Sequence, residues 1–193
     1  MCAFANQARG MEILLVLLTL ILLIVALFIF YYNRIITLEN RVNNAFSQVD
    51  VQLKRRNDLI PNLVNTVKGY AAHETAVFDR VTQARERMLS AGSIEEKSAA
   101  SNQLTQALRS VFAIAEAYPE LKADANFREL QGQLEETENK IAYARQFFND
   151  TVLDFNNTVT TIPGVFIAQL MSKKPKPFLE TDEATRQVPG VNF

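Results

Sequence analysis

FSQVDVQLKRRNDLIPNLVNTVKGY, Phe46 to Tyr70, is the stretch whose reading decides the architecture. Its apolar residues Phe46, Val49, Leu53, Ile60, Leu63, Val64, Val67 and Tyr70 recur three or four apart, the period of a helix with one buried face. Pro61 interrupts that pattern chemically. It lacks an amide proton and disfavours an α conformation at Ile60. Two chains are compatible with this: a helix that stops near Asn57 and restarts with Pro61 in its first turn, or one kinked rod, for which the nearly unslipped hydrophobic phase speaks. The helical hairpin is the expectation. It gives four segments, 33–57, 61–90, 95–118 and 119–158, suited to an up-down bundle.

Working outward, the same stripe begins at Ile35, Leu38, Val42 and Ala45, and resumes at Ala71, Val77, Phe78, Val81 and Ala84. Ser90-Ala91-Gly92-Ser93 reads as a helix stop followed by an N-cap, and Glu96 completes a capping box with Ser93. In AEAYPELKAD, Pro119 and Glu120 mark a helix start, where the missing amide costs nothing and the acid meets the positive helix end. The helix beyond it carries Leu121, Ala125, Phe127, Leu130, Leu134, Ile141, Ala144, Phe148, Val152 and Phe155 as its apolar stripe, with the charges of LEETENKIAYAR on the wet side. It ends before Ile162-Pro163-Gly164.

Upstream lies a different solvent. ILLVLLTLILLIVALFIF, Ile13 through Leu20 to Phe30, has no charge and one hydroxyl, Thr19. With Met11 and Tyr31-Tyr32 at its ends it approaches the ~20 apolar residues that cross a bilayer core. A cleaved signal peptide would be shorter and end in small residues, whereas two tyrosines here suit the headgroup layer. Met11 offers a second translation start, and Cys2 follows no lipobox. Arg34 and Arg41 outnumber Arg9 near the span, which favours a cytoplasmic C-terminal domain and a short N-terminus outside. The expected fold is all-α: a tail over 1–10, a transmembrane helix over 11–32, an antiparallel long-helix bundle over 33–160, and an amphipathic segment with a polar tail over 161–193.

Composition excludes several chemistries. One cysteine cannot close an internal disulfide, and one histidine does not combine with it into a plausible zinc site. A formal charge of −1 gives no broad footprint for nucleic acid. There is no glycine-rich phosphate loop, paired-cysteine motif or serine elbow. His73 beside Glu74 has no nucleophile or metal set near it, so a surface or packed histidine is the expectation. No catalytic residue, cofactor, metal or small-molecule substrate is therefore expected. Two basic clusters are the candidate contacts with a partner or with lipid. Lys54, Arg55 and Arg56 could meet phosphates or headgroups, although such a triplet on a helix more often forms a solvated or ion-paired face, which is the preferred reading. Lys173, Lys174 and Lys176 follow the apolar Val165 to Met171, a pairing that suits an anionic membrane surface; sealing the end of the bundle is the plainer alternative. The closing LETDEATRQVPGVNF reads as a polar tail.

Three runs resemble the LemA family: YYNRIITLENRVNNAFSQVDVQLKRRNDLIPNLVNTVKGYAAHE, AYPELKADANFRELQGQLEETENKIAYARQFFND and FNNTVTTIPGVFIAQL. Phe46 stands where that family commonly has an indole, and Ile162 where it often has an aromatic residue. The resemblance implies a bacterial single-pass protein of the inner membrane with a long-helix bundle and an outside N-terminus. Relatives there include a magnetosome-membrane protein, but the family carries no established molecular activity. An unrelated sensor kinase shares the name, and no kinase motif occurs here. The functional expectation is a non-enzymatic, membrane-anchored scaffold or adaptor acting through lipid, a protein partner or self-association. The alternative is an accessory regulator of a membrane protease or an envelope-stress system.

Overall fold

The computed structural model describes residues 2–179. Among these the chain forms helices α1 (Cys2–Lys68), α2 (Thr75–Ser90), α3 (Ile94–Ala117), α4 (Pro119–Ala123), α5 (Ala125–Thr160) and α6 (Gly164–Leu170), and no strand. The all-α expectation holds. The expected polar tail lies, from Glu180 onward, outside the described residues. Contacts divide the chain into two compact units, one comprising residues up to Asn43 with Thr151–Pro177, the other Asn44–Asp150 with the segment from Phe178.

The Asn44–Asp150 unit contains an up-down bundle whose directions follow from its cross-helix contacts. Lys68 lies over the Phe78 ring and Arg85 reaches the carbonyl of Asn57, so α2 runs antiparallel to α1. Lys97 pairs with Asp50 and Arg56 meets Thr105, so α3 returns parallel to α1. Arg56 also meets Glu138, and Phe46 meets Phe148, so α5 runs antiparallel again. The expected stripe residues Ile60, Leu63, Val67, Phe78, Val81, Leu121, Phe127 and Leu134 pack into one buried cluster, joined by Leu104, Leu108 and Val111 of α3, which the sequence reading did not single out. Burying such side chains stabilises by about 1.5–3 kcal/mol each, which is why the period of three and four survives across every helix.

The expected hairpin at Pro61 does not form. α1 runs through Pro61 without a break and the chain reverses later, at Gly69 to Glu74. A proline inside a helix removes the bond to the carbonyl four residues back, here that of Asn57. Asn57 is buried, so that oxygen needs another donor, and Arg85 of α2 supplies it from Nε at 3.4 Å. A partner from the next helix thus replaces the lost backbone bond.

The remaining boundaries are local. Ser93 accepts from the amide of Glu96, whose carboxylate accepts in return from Ser93, as the capping box requires. Pro119 opens a helix as expected, but α4 ends at Ala123, so the single helix expected over 119–158 is two. Asp124 is extended and its Oδ1 accepts from the Phe127 amide at 2.8 Å, acting as N-cap of α5.

In the other unit, Ile35, Leu38 and Val42 of α1 are buried, as are Val152, Phe155 and Val159 of α5 and Ile167 and Ala168 of α6. Gly164 starts α6 under tight constraint. A Cβ there would lie 2.1 Å from the carbonyl oxygen of Thr158 and 3.4 Å from Cδ1 of Tyr31. Only glycine permits this approach. α6 ends in a Schellman motif, with Lys173 N–H donating to Ala168 at 2.9 Å and Ser172 N–H to Gln169 at 3.0 Å, and Ser172 takes the left-handed conformation at φ 54°.

Candidate functional site

The apolar run is the first candidate surface. From Met11 to Phe30 its large side chains are exposed, and the most apolar 18-residue window has a mean hydropathy of 3.5 with none of it buried. A core helix of a soluble domain would be covered by protein. One helix near the N-terminus is therefore long and apolar enough to cross a membrane, with Ile13, Leu20 and Phe30 on its surface.

The C-terminal lysines do not form the free basic patch expected of them. Lys173 Nζ donates to Glu39 Oε2 at 2.6 Å. Lys176 Nζ lies 3.7 Å from Glu39 Oε1, donates to Asn43 Oδ1 at 3.3 Å, and stands over the Phe155 ring. Its backbone is held as well: Asn156 brackets Lys176 through the residue's N–H and C=O, both at 2.8 Å. Of the three, Lys174 is exposed and the other two are half-buried. The sequence reading missed Glu39 as their counter-charge because it stands 134 positions earlier.

The Lys54-Arg55-Arg56 triplet also divides. Lys54 and Arg55 are exposed, whereas Arg56 is 3% exposed and points into the bundle. This removes Arg56 from any lipid or partner contact. One helical position separates solvent from core here. Arg56 Nη2 donates to the Thr105 hydroxyl at 3.0 Å, and Nη1 lies 2.8 Å from Glu138 Oε2, a coulombic contact without hydrogen-bond alignment. Burial pushes the guanidinium below its ordinary range; Glu138 opposes that and nearby Arg145 adds to it. Arginine starts so far above neutral pH that it stays charged. Arg145 donates to Asn102 Oδ1 at 3.0 Å. Glu138 and Arg145 were expected on the wet side of α5; both are half-buried at the edge of the bundle, Glu138 against Arg56 and Arg145 against Asn102, while Glu136 and Lys140 pair outside at helical spacing.

Two features remain on the bundle surface. His73 is exposed in the turn between α1 and α2. Among the described residues no group of three or more His, Cys, Asp and Glu is placed to hold a metal ion. Between α1 and α5 an open groove of about 630 Å³ is lined by Gln48, Val51, Gln52, Lys140 and Tyr143, with Val51 and Tyr143 largely exposed.

The two capping carboxylates give the bundle an acid limit. Amides of Gly92 and Ser93 hold Glu96 below the usual carboxylate range, and the Phe127 amide does the same for Asp124, helped by the Tyr70 hydroxyl. A depressed folded-state pKa means stabilisation that is present above the ordinary values of 4.5 and 3.8 and lost as pH falls through the lower folded-state values. The thermal midpoint is expected to drop in that acid range, and Glu96→Gln with Asp124→Asn to flatten the drop. An unchanged acid slope in the double variant contradicts the assignment.

A family model described as the LemA family matches residues 45–193. The chain is 24% identical over 169 residues to magnetosome protein MamQ of Magnetospirillum gryphiswaldense, covering 74% of this chain and 62% of that protein. It is 22% identical over 186 residues to magnetosome protein MamQ 2 of Paramagnetospirillum magneticum, covering 83% and 68%. Protein LemA of Metamycoplasma hominis matches at 24% over 157 residues, covering 77% and 70%. The chain thus spans less than two thirds of the length of the first of these relatives.

Proposed function

The chain belongs to the LemA family, and on that footing we propose that it is a membrane-anchored helical scaffold or adaptor. Residues 11–32 cross a bacterial inner membrane, and the helices beyond present a surface to other proteins. The observation that carries this reading is the uncovered apolar surface of Met11 to Phe30 on the same helix, α1, that supplies one wall of the bundle. The groove lined by Val51 and Tyr143 is the surface best suited to a protein segment, since it combines exposed apolar area with amides and a lysine.

Carbonate washing should leave the full chain in the membrane fraction, because a spanning helix is effectively irreversible beside a surface helix. Quantitative cross-linking in native membranes, read by mass spectrometry, should then concentrate adducts at Lys140 and the groove. Release by carbonate, or a mature N-terminus near Tyr31, defeats the anchor; adducts spread evenly over the exposed lysines defeat the adaptor.

The bundle faces the cytoplasm in this reading, because Arg34 and Arg41 follow the span and Arg9 alone precedes it. A cysteine placed at exposed Ala142, in a Cys2→Ser background, should resist an impermeant thiol reagent in intact cells and react after lysis. Labelling in intact cells reverses the topology.

A further inference from the structure

We propose that α6 and the turn leading into it form a second membrane-contact element, in which Ile162 of the turn and Phe166 of the helix enter the lipid interface beside the span and Leu170 marks its outer rim. The proposal rests on the membrane-anchor reading above and specifies what lies next to the anchor.

Three large apolar residues recur four apart, and Ile162, Phe166 and Leu170 are 78%, 60% and 76% exposed. The opposite side of α6 is spent on the protein, with Gly164, Ile167 and Ala168 buried. No charged residue occurs between Asp154 and Lys173, so nothing on this segment needs to be kept in bulk water. A single exposed leucine needs no explanation, but Phe166 and Leu170 one turn apart on a short, tightly held helix, with Ile162 exposed in the turn that leads into it, mark a contact surface.

Its position names the occupant. The start of α6 is pressed against Tyr31, the residue immediately after the apolar run, by the approach that Gly164 allows. Tyrosines at the end of a span sit at headgroup level. The far end of α6 leads to Lys173, which is held by Glu39, two turns farther along α1. α6 therefore climbs α1 away from the span, with Ile162 deepest and Leu170 highest. Climbing along α1 rather than lying in the interface plane, this segment meets the headgroup and acyl boundary chiefly at its start, beside Tyr31. The contact is mainly apolar, because Lys173 and Lys176 are engaged by Glu39, Asn43 and Phe155, which leaves Lys174 as the exposed lysine of the three.

The chain contains no tryptophan, so each introduced one is a sole reporter. Full-length Ile162→Trp, Phe166→Trp and Leu170→Trp are reconstituted in phosphatidylcholine vesicles containing acyl-brominated lipid, with Leu20→Trp reporting the anchor and exposed Leu89→Trp the bundle surface. Quenching should fall in the order Leu20, Ile162, Phe166, Leu170, and be absent at Leu89. It should be unchanged when phosphatidylglycerol is added. Quenching at Leu20 with none at Ile162 and Phe166 overturns the proposal and leaves the anchor standing; no quenching at Leu20 removes the anchor reading itself. Two further results also overturn it: quenching of the α6 reporters only in anionic vesicles, or shielding from both bromolipid and aqueous quencher that grows with protein density, which would mean a second copy covers the face.

Discussion

Phe148→Ala is expected to destabilise the bundle by about 4 kcal/mol. Its ring is fully buried on α5 and meets Phe46 of α1 edge-on, with centroids 5.8 Å apart. Truncating a buried phenylalanine costs about 3–5 kcal/mol through lost transfer energy and the cavity left behind. Losing an aromatic pair adds about 0.5–1.5 kcal/mol, which Phe46 partly recovers by remaining half-buried against other neighbours. Denaturant unfolding of the full chain in micelles, followed by helical circular dichroism, measures it. Tyr143→Ala, on the exposed side of the same helix, should change stability by no more than about 0.5 kcal/mol. Equal effects from the two substitutions would show that α5 buries the other face.

The second large effect concerns a charge. Glu138→Gln keeps the size of the side chain but leaves the Arg56 guanidinium buried, with Arg145 nearby and no counter-charge. Breaking a buried ion pair from one side costs about 3–5 kcal/mol. Glu138 is itself 45% exposed, so water softens the loss and the expectation is about 3 kcal/mol, the low end of that range. Replacing both partners with apolar residues, Arg56→Met with Glu138→Leu, should restore much of it, since a well-packed apolar pair no longer pays for desolvating the guanidinium. The same unfolding assay decides. If the double variant is as unstable as Glu138→Gln alone, the unpaired charge is not the cause and Thr105 or the packing around it is.

The split of the Lys54-Arg55-Arg56 triplet illustrates a general limit of helical periodicity. Arg56 follows Leu53 by three and precedes Ile60 by four, so its position falls on the buried stripe by spacing alone. Chemical type argued the other way, and type misled because the compensating groups, Thr105 and Glu138, are 49 and 82 positions away in sequence. The C-terminal lysines failed for the same reason. Their basic character next to an apolar segment suggested lipid, and Glu39 cannot be assigned to them until the chain has folded back along α1.

What the amino-acid sequence by itself determined is what depends on neighbours one to four residues away: the apolar run Ile13 to Phe30, the buried stripes of α1, α2 and α5, the Ser93 and Glu96 capping box, and the helix start at Pro119. Asp124 as an N-cap belongs to the same class and was legible in ADANF, where an acid precedes the helix and the third residue after it supplies the amide. Only the tertiary structure decided where α1 ends. Pro61 takes away the backbone donor for Asn57, and whether the helix stops or continues depends on whether a substitute is available. That substitute is Arg85, 28 positions later on another helix. A local pattern registers the missing bond, but the group that replaces it exists at that place only once α2 has packed against α1.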